Sequence, residues 1–277
     1  MYQPKTFIFF LGGYDLEMVT IRQLLLELAP ERFYDKQLSW GAKASAYVQE
    51  VAQTLSRGLT PVFVELVHDL GLKPTQFLVV DHHGERAGEH KPTSLHQVFD
   101  LFGLPPERWT RWYDLVVAND RGYIPALVEM GATPEEIVTV RAADRAAQGI
   151  NPAEEAAGER AVVHAETYVN GMVTVVRLSH SRTATVTDRL EPALGGRGYK
   201  NLLVYCPDQV NFFGTGQLVY ALDEHFPGGW YGGALPAKGF WGHETPLPEI
   251  LPIILDHLAS TLALSASAPG PDRLDDV

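Results

Sequence analysis

Cysteine is almost absent from this sequence: Cys206 stands alone among 277 residues. A lone cysteine excludes an internal disulfide framework and a cysteine-rich zinc site. Positive charge is scarce as well, with 22 Lys+Arg against 34 Asp+Glu and a formal charge of −12. Such a chain lacks the broad basic face that non-specific duplex binding requires, so no long duplex nucleic acid is expected as a partner. Small anionic ligands stay open, provided that metal ions neutralise the charge locally. Long apolar runs are missing too. The run Phe7–Leu11 is too short for a signal peptide, and no stretch approaches the roughly 18 apolar residues of a membrane span. A cytoplasmic protein with no membrane partner is expected. What is present, 45% hydrophobic and 20% charged residues, is the profile of a globular protein of one large or two small domains.

The first half alternates short apolar runs with amphipathic segments. Phe7–Leu11, Val62–Val64 and Phe77–Val80 read as buried strands. Apolar residues at helical spacing predict helices around Met18–Leu28, Ala44–Leu55 and Leu95–Phe102. Leu115–Ala118 is a fourth apolar run, with helical segments expected over about 123–131 and 134–147. Strands alternating with helices imply βαβ units and a largely parallel sheet. Near residue 150 the pattern changes. Gly149–Gly158 reads as a linker, and Ala161–Val169 and Met172–Ser179 flank Asn170-Gly171, a strong hairpin signal. A strand over Asn201–Cys206 and helices over Gln217–Phe226 and about 248–264 complete an α/β second half. The expected organisation is a domain over 1–150, a smaller one over 151–265 with the active-site cleft between them, and a disordered tail over 266–277.

Acids fall where the apolar runs of the first half end. Phe7–Leu11 leads through Gly12-Gly13-Tyr14 to Asp15 and Glu17; the next two runs end at Glu65 and Asp81; Leu115–Ala118 ends at Asn119-Asp120. In an open parallel sheet, ligands bind outside the carboxyl ends of the strands. Acids converging there would repel one another unless a cation lay between them. Any one such acid is as readily explained by the chain leaving the core; four together are not. The sharpest signal is Asp81-His82-His83 at the end of an apolar strand. Carboxylates suit Mg²⁺ or Mn²⁺, and neighbouring imidazoles favour Mn²⁺.

At these residues the sequence resembles the DHH phosphoesterase superfamily, named for its Asp-His-His triplet. That superfamily includes RecJ exonucleases, oligoribonucleases acting on very short RNAs, cyclic-dinucleotide phosphodiesterases and manganese-dependent inorganic pyrophosphatases. Gly12-Gly13-Tyr14-Asp15-Leu16-Glu17 is similar to the RecJ-type first motif, Glu65 sits where the second motif has Asp, and Asp120 falls where the fourth-motif Asp is expected. Over residues 7–125 the resemblance implies a parallel-sheet DHH domain that holds one or two Mn²⁺ or Mg²⁺ ions. Asp15, Glu17, Glu65, Asp81, His82 and Asp120 are the implied ligands, and Asp81, His82 and His83 the catalytic residues. The second half resembles the DHH-associated domain. There Gly228–Gly233, followed by Lys238 and His243, stands in place of a Gly-Gly-Gly-His loop. His83, Gly232, Gly233 and His243 are therefore the implied substrate contacts; Arg121, directly after Asp120, is a further candidate to meet a phosphate, and Trp230 and Trp241 are candidates to stack a base.

Three positions depart from the pattern: Gly13 replaces an Asp, and Glu17 and Glu65 replace Asp. A metal-dependent phosphoesterase acting on a short nucleotide or small phosphorylated substrate, and possible as a homodimer, is the leading expectation. A catalytically degenerate scaffold that binds a nucleotide, a nucleic-acid end or a protein is the alternative. A pyrophosphatase ranks third, because no His lies near Asp15.

Overall fold

The computed structural model describes residues 6–39, 41–83, 86, 91–233, 235–244 and 250–267. The chain forms two compact units, residues 1–149 and 150–277.

The first unit is built on β1 (Phe7–Leu11), β2 (Phe33–Tyr34), β3 (Thr60–Val64) and β4 (Leu78–Val80), all parallel, in the order β2-β1-β3-β4. β1 and β3 are central and read as continuous apolar runs because both faces of the sheet are covered. On one face, Ile8, Phe10 and Phe63 pack with Tyr47 and with Val51 of α2 (Val48–Ser56). On the other, Phe9 stacks on Phe102 at 5.5 Å, just beyond α3 (Ser94–Leu101). α1 (Leu16–Leu28) follows β1 directly, with Asp15 as its N-cap.

Leu115–Ala118 is not a strand. It lies within α4 (Arg111–Glu129), which packs against α1 and α5 (Pro134–Ala147). Four apolar residues suit a buried helix as well as a buried strand, and the side chain of Thr110, which accepts the Tyr113 N–H, is the cap that decides it. The expected helix at 123–131 is the second limb of α4, beyond a break at Gly122 and Tyr123.

In the second unit, the expected linker is helical: Asn151 and Glu154 form a capping box, with Pro152 at the first position of α6 (Pro152–Val163). The strand expected from Ala161 shrinks to β5 (Glu166–Tyr168), which pairs antiparallel with β6 (Val173–Arg177) across the Asn170-Gly171 turn. After α7 (Ala184–Leu190) come β7 (Asn201–Tyr205), β8 (Val210–Gly214), α8 (Gly216–His225), β9 (Trp230–Gly232), β10 (Gly239–His243) and α9 (Ile250–Ser267). The six strands run in the order β5-β6-β7-β8-β10-β9, with β6–β7 the parallel pair. Leu218, Leu222, Ile254 and Leu258 of α8 and α9 cover one face over Phe212 and Trp241; Val186 and Leu190 of α7 lie in the cluster with Val176, Leu202 and Val204 on the other. Of the tail expected to be disordered, 266 and 267 are the last residues of α9, and 268–277 lie outside the described residues. Among the described residues no helix is long and apolar enough to cross a membrane.

Candidate metal centre

Four carboxylates reach one place from three kinds of position. Asp15 caps α1, accepting the Met18 N–H at 2.8 Å. Glu17, one residue into that helix, is 1% exposed, and one of its oxygens accepts the Leu95 N–H at 2.9 Å at the start of α3. A helix N-terminus with its free amides is a favourable place for a buried carboxylate. Glu65 follows β3 with φ at 52°, in the left-handed region that side chains seldom occupy. Gly12 makes room for that turn, since a Cβ at Gly12 would overlap the Glu65 carbonyl oxygen. Asp120 arrives from within α4, two residues before its break, and not from a strand end.

His82 sits at their centre. Its Nε2 lies 2.9 Å from Asp120 Oδ2, 3.4 Å from Glu17 Oε2 and 3.5 Å from Glu65 Oε1. None of these approaches has the direction of a hydrogen bond: all four atoms are buried and, among the described residues, have no hydrogen-bond partner. Four orphaned buried polar atoms facing one another are costly unless something joins them. They are also a donor set, three carboxylates and an imidazole, that could hold a divalent metal ion. Ligand atoms of Glu17, His82 and Asp120 lie within 4.8 Å of one another, as do those of Glu65, His82 and His83, so His82 belongs to both groups.

The electrostatics follow from this crowding. Burial, then the charge of Glu65, pushes the Asp15 carboxyl well above its usual range, against the pull of the Met18 N–H. Burial likewise lifts Asp120 to about 6, although His82 opposes it. Burial lowers the His82 imidazole, but contacts with Asp120, Glu17 and Glu65 outweigh that and raise it to about 12. For Glu17, burial is outweighed by His82, Thr93 and the Leu95 N–H, leaving it lowered.

Asp81 is engaged on both oxygens: Oδ1 meets the His83 N–H and His83 Nδ1, each at 3.0 Å, and Oδ2 accepts from Arg86 at 3.1 Å. Burial would raise Asp81, yet His83 and Arg86 hold it at about 2, and it belongs to neither convergent group. His83 is raised chiefly by that same contact. Asp81, His83 and Glu65, with Gly13, His68 and Arg86, line a cavity of about 400 Å³. Arg121 donates to the Lys91 carbonyl. In the second unit, Gly232 and Gly233 close β9, and His243 in β10 stacks on Trp241. Trp241 is fully buried in the core and cannot stack a base; Trp230 is partly exposed. Sequence reasoning missed the Leu95 N–H, a main-chain group with no signature of its own, and Gly12, whose role depends on a neighbour 53 residues away in sequence.

No protein-family model matches the chain, and no curated protein matches it. Among solved structures it is similar to exonuclease RecJ bound to manganese, at 12% identity and TM-score 0.45 over 95% of this chain and 91% of that one. It is similar to an exopolyphosphatase-related protein from Bacteroides fragilis, at 11% identity and TM-score 0.47 over 93% and 91%. A pGpG-specific phosphodiesterase, PggH, from Vibrio cholerae is similar at 9% identity and TM-score 0.45 over 94% and 99%.

Proposed function

We propose that this chain is a divalent-metal-dependent phosphoesterase acting on a short nucleotide or another small phosphorylated substrate. The observation that carries the reading is the meeting of Glu17 Oε2, Glu65 Oε1, Asp120 Oδ2 and His82 Nε2, all buried and all without a hydrogen-bond partner among the described residues. Glu17, Glu65, His82 and Asp120 would hold Mn²⁺ or Mg²⁺, and Asp15 would add charge beside them. When bound, such an ion would supply Lewis acidity toward a phosphoryl oxygen and lower the pKa of water toward neutrality.

The protein's own groups then divide the remaining work. His83, half exposed and facing the cavity with Asp81 and Arg86, is placed to hydrogen-bond a phosphoryl group or to protonate a leaving oxygen. Asp81 orients its ring by holding Nδ1. Arg86 offers a cation at the cavity wall. The cavity volume suits a nucleotide-sized ligand, and the acidity of the chain disfavours long duplex substrates.

The test is elemental analysis of protein purified without chelator, repeated on His82→Ala, followed by a screen of dinucleotides and nucleotide phosphates with Mn²⁺. About one or two Mn²⁺ per chain, lost in the variant, together with phosphate release supports the reading. No uptake of supplied Mn²⁺ sinks it. The second reading, a scaffold that binds without catalysis, is favoured by Gly13, which brings no carboxylate to the site. Metal uptake without turnover on any substrate in the screen would select it.

A further inference from the structure

Asp120 poses a problem of aim. It projects from the middle of a helix, where side-chain direction is set by helix phase, and yet it must meet residues from β3, β4 and α1. Two residues later the helix breaks: Gly122 has φ −157° and ψ 19°, and Tyr123 has φ 59° and ψ −148°. The Tyr123 conformation is one that residues other than glycine adopt only when their surroundings hold them there.

What surrounds the break is a buried arginine. Arg141, from α5, is 3% exposed. Its guanidinium lies 4.2 Å from the Tyr123 ring centroid. Its Nη1 donates to Asn119 Oδ1 at 2.7 Å and to Asp144 Oδ2 at 2.8 Å. Gln148 donates to that same Asp144 oxygen at 2.9 Å. One planar group thus touches the residue before Asp120 and the second residue of the break. A buried ion pair is weak evidence for stability, since apolar residues of similar volume fill such space as well. What a guanidinium adds is direction, because its donors and its face are fixed relative to each other.

We propose that Arg141 is a positioning residue: it clamps Asn119 and Tyr123 across the break in α4 and so aims the Asp120 carboxylate at His82. This rests on the reading of that cluster as a metal site. Groups behind a ligand that orient it change metal affinity by about 10–100-fold when removed.

Two variants test it, each assayed by calorimetric titration with Mn²⁺ at a temperature where circular dichroism shows the ion-free protein fully folded. Asn119→Ala removes one arm of the clamp and leaves the Arg141–Asp144 pair intact. Arg141→Met with Asp144→Leu removes the clamp without stranding a buried charge. The expected result is Mn²⁺ affinity lower by about tenfold or more in both, with an altered electron paramagnetic resonance spectrum of the bound ion. A purely structural role would lower the melting temperature and leave affinity and spectrum unmoved in the folded protein. Affinity within about twofold of wild type in folded Asn119→Ala overturns the proposal even if the double variant does not fold. Wild-type protein that takes up no Mn²⁺ overturns the metal reading itself, and this proposal with it; equal binding by wild type and variants overturns this proposal alone.

Discussion

Glu17 divides its two oxygens between a helix and a histidine: Oε1 accepts the Leu95 N–H at 2.9 Å, while Oε2 lies 3.4 Å from His82 Nε2. The longer side chain is what allows both, since Asp at this position would end about one bond length short. Glu17→Gln keeps an acceptor for Leu95 and removes the charge. The expected outcome is an ion-free fold changed by no more than about 1 kcal/mol, the scale of one hydrogen bond, with Mn²⁺ affinity reduced at least tenfold. Thermal melting and calorimetric titration measure the two halves; unchanged affinity would remove Glu17 from the ligand set.

Proton linkage gives a second prediction. Asp120 is raised to about 6 by burial and Asp15 is raised for the same first reason. A carboxyl raised on folding contributes stability below its unfolded value near 3.8, and that contribution is lost as pH rises through its folded value. His83, raised through Asp81, acts in the same sense as pH rises above 6.5. His82, raised to about 12, keeps its proton in the folded protein while the unfolded imidazole loses it above 6.5, so it acts in the same sense. Ion-free protein should therefore lose melting temperature between pH 5 and pH 8. Mn²⁺ requires deprotonated ligands, so binding releases protons and affinity rises over the same range. Titration in two buffers of different ionisation enthalpy counts the protons; none released would contradict the assignment of His82 as a ligand.

Much of this site was legible because strand ends are where a parallel sheet exposes polar groups. Asp15, Glu65 and the Asp81-His82-His83 triplet each follow an apolar run that is a strand in the structure. Asp120 was found for a reason that does not hold, since its apolar run is a helix. Short buried runs carry no periodicity that separates the two, and the deciding cap at Thr110 lies five residues upstream. The helix at Pro152–Val163 was legible in its capping box but masked by its many small and charged residues. Asp81, which the triplet motif put among the ligands, is turned to His83 and Arg86. No pattern in one sequence shows which of three adjacent side chains points inward.

The approach of β1 to the turn at Glu65 gives a prediction about backbone. A Cβ at Gly12 would overlap the Glu65 carbonyl oxygen and crowd that of Val64, main-chain atoms that cannot swing aside. Gly58, just past α2, has φ 70° with open space around it. Gly58→Ala should cost about 1 kcal/mol, the cost of placing a side chain in the left-handed region. Gly12→Ala should cost several times that or prevent folding, because β1 and the Glu65 turn must separate. Denaturant unfolding of the two variants distinguishes them, and equal costs would mean the two segments part easily.

The two histidines should separate in what their loss does. His82 has a side chain 12% exposed and faces three carboxylate oxygens within 3.5 Å. His83 has a side chain 42% exposed and pairs with Asp81 at 3.0 Å. Removing His82 from ion-free protein leaves three buried acids without their countercharge, a loss on the scale of about 3 kcal/mol. His83→Ala should stay within about 1 kcal/mol, as expected for an exposed pair. Metal binding should follow the same order, with Mn²⁺ uptake abolished in His82→Ala and largely kept in His83→Ala. Turnover should not follow it. If His83 contacts the phosphoryl group, His83→Ala loses about 10²–10⁴-fold in kcat while still holding its ion, the range for a lost proton-transfer group. Elemental analysis beside a dinucleotide hydrolysis assay reads both quantities on the same protein. Loss of metal in His83→Ala would instead make that histidine a ligand of a second ion, through the group it forms with Glu65 and His82.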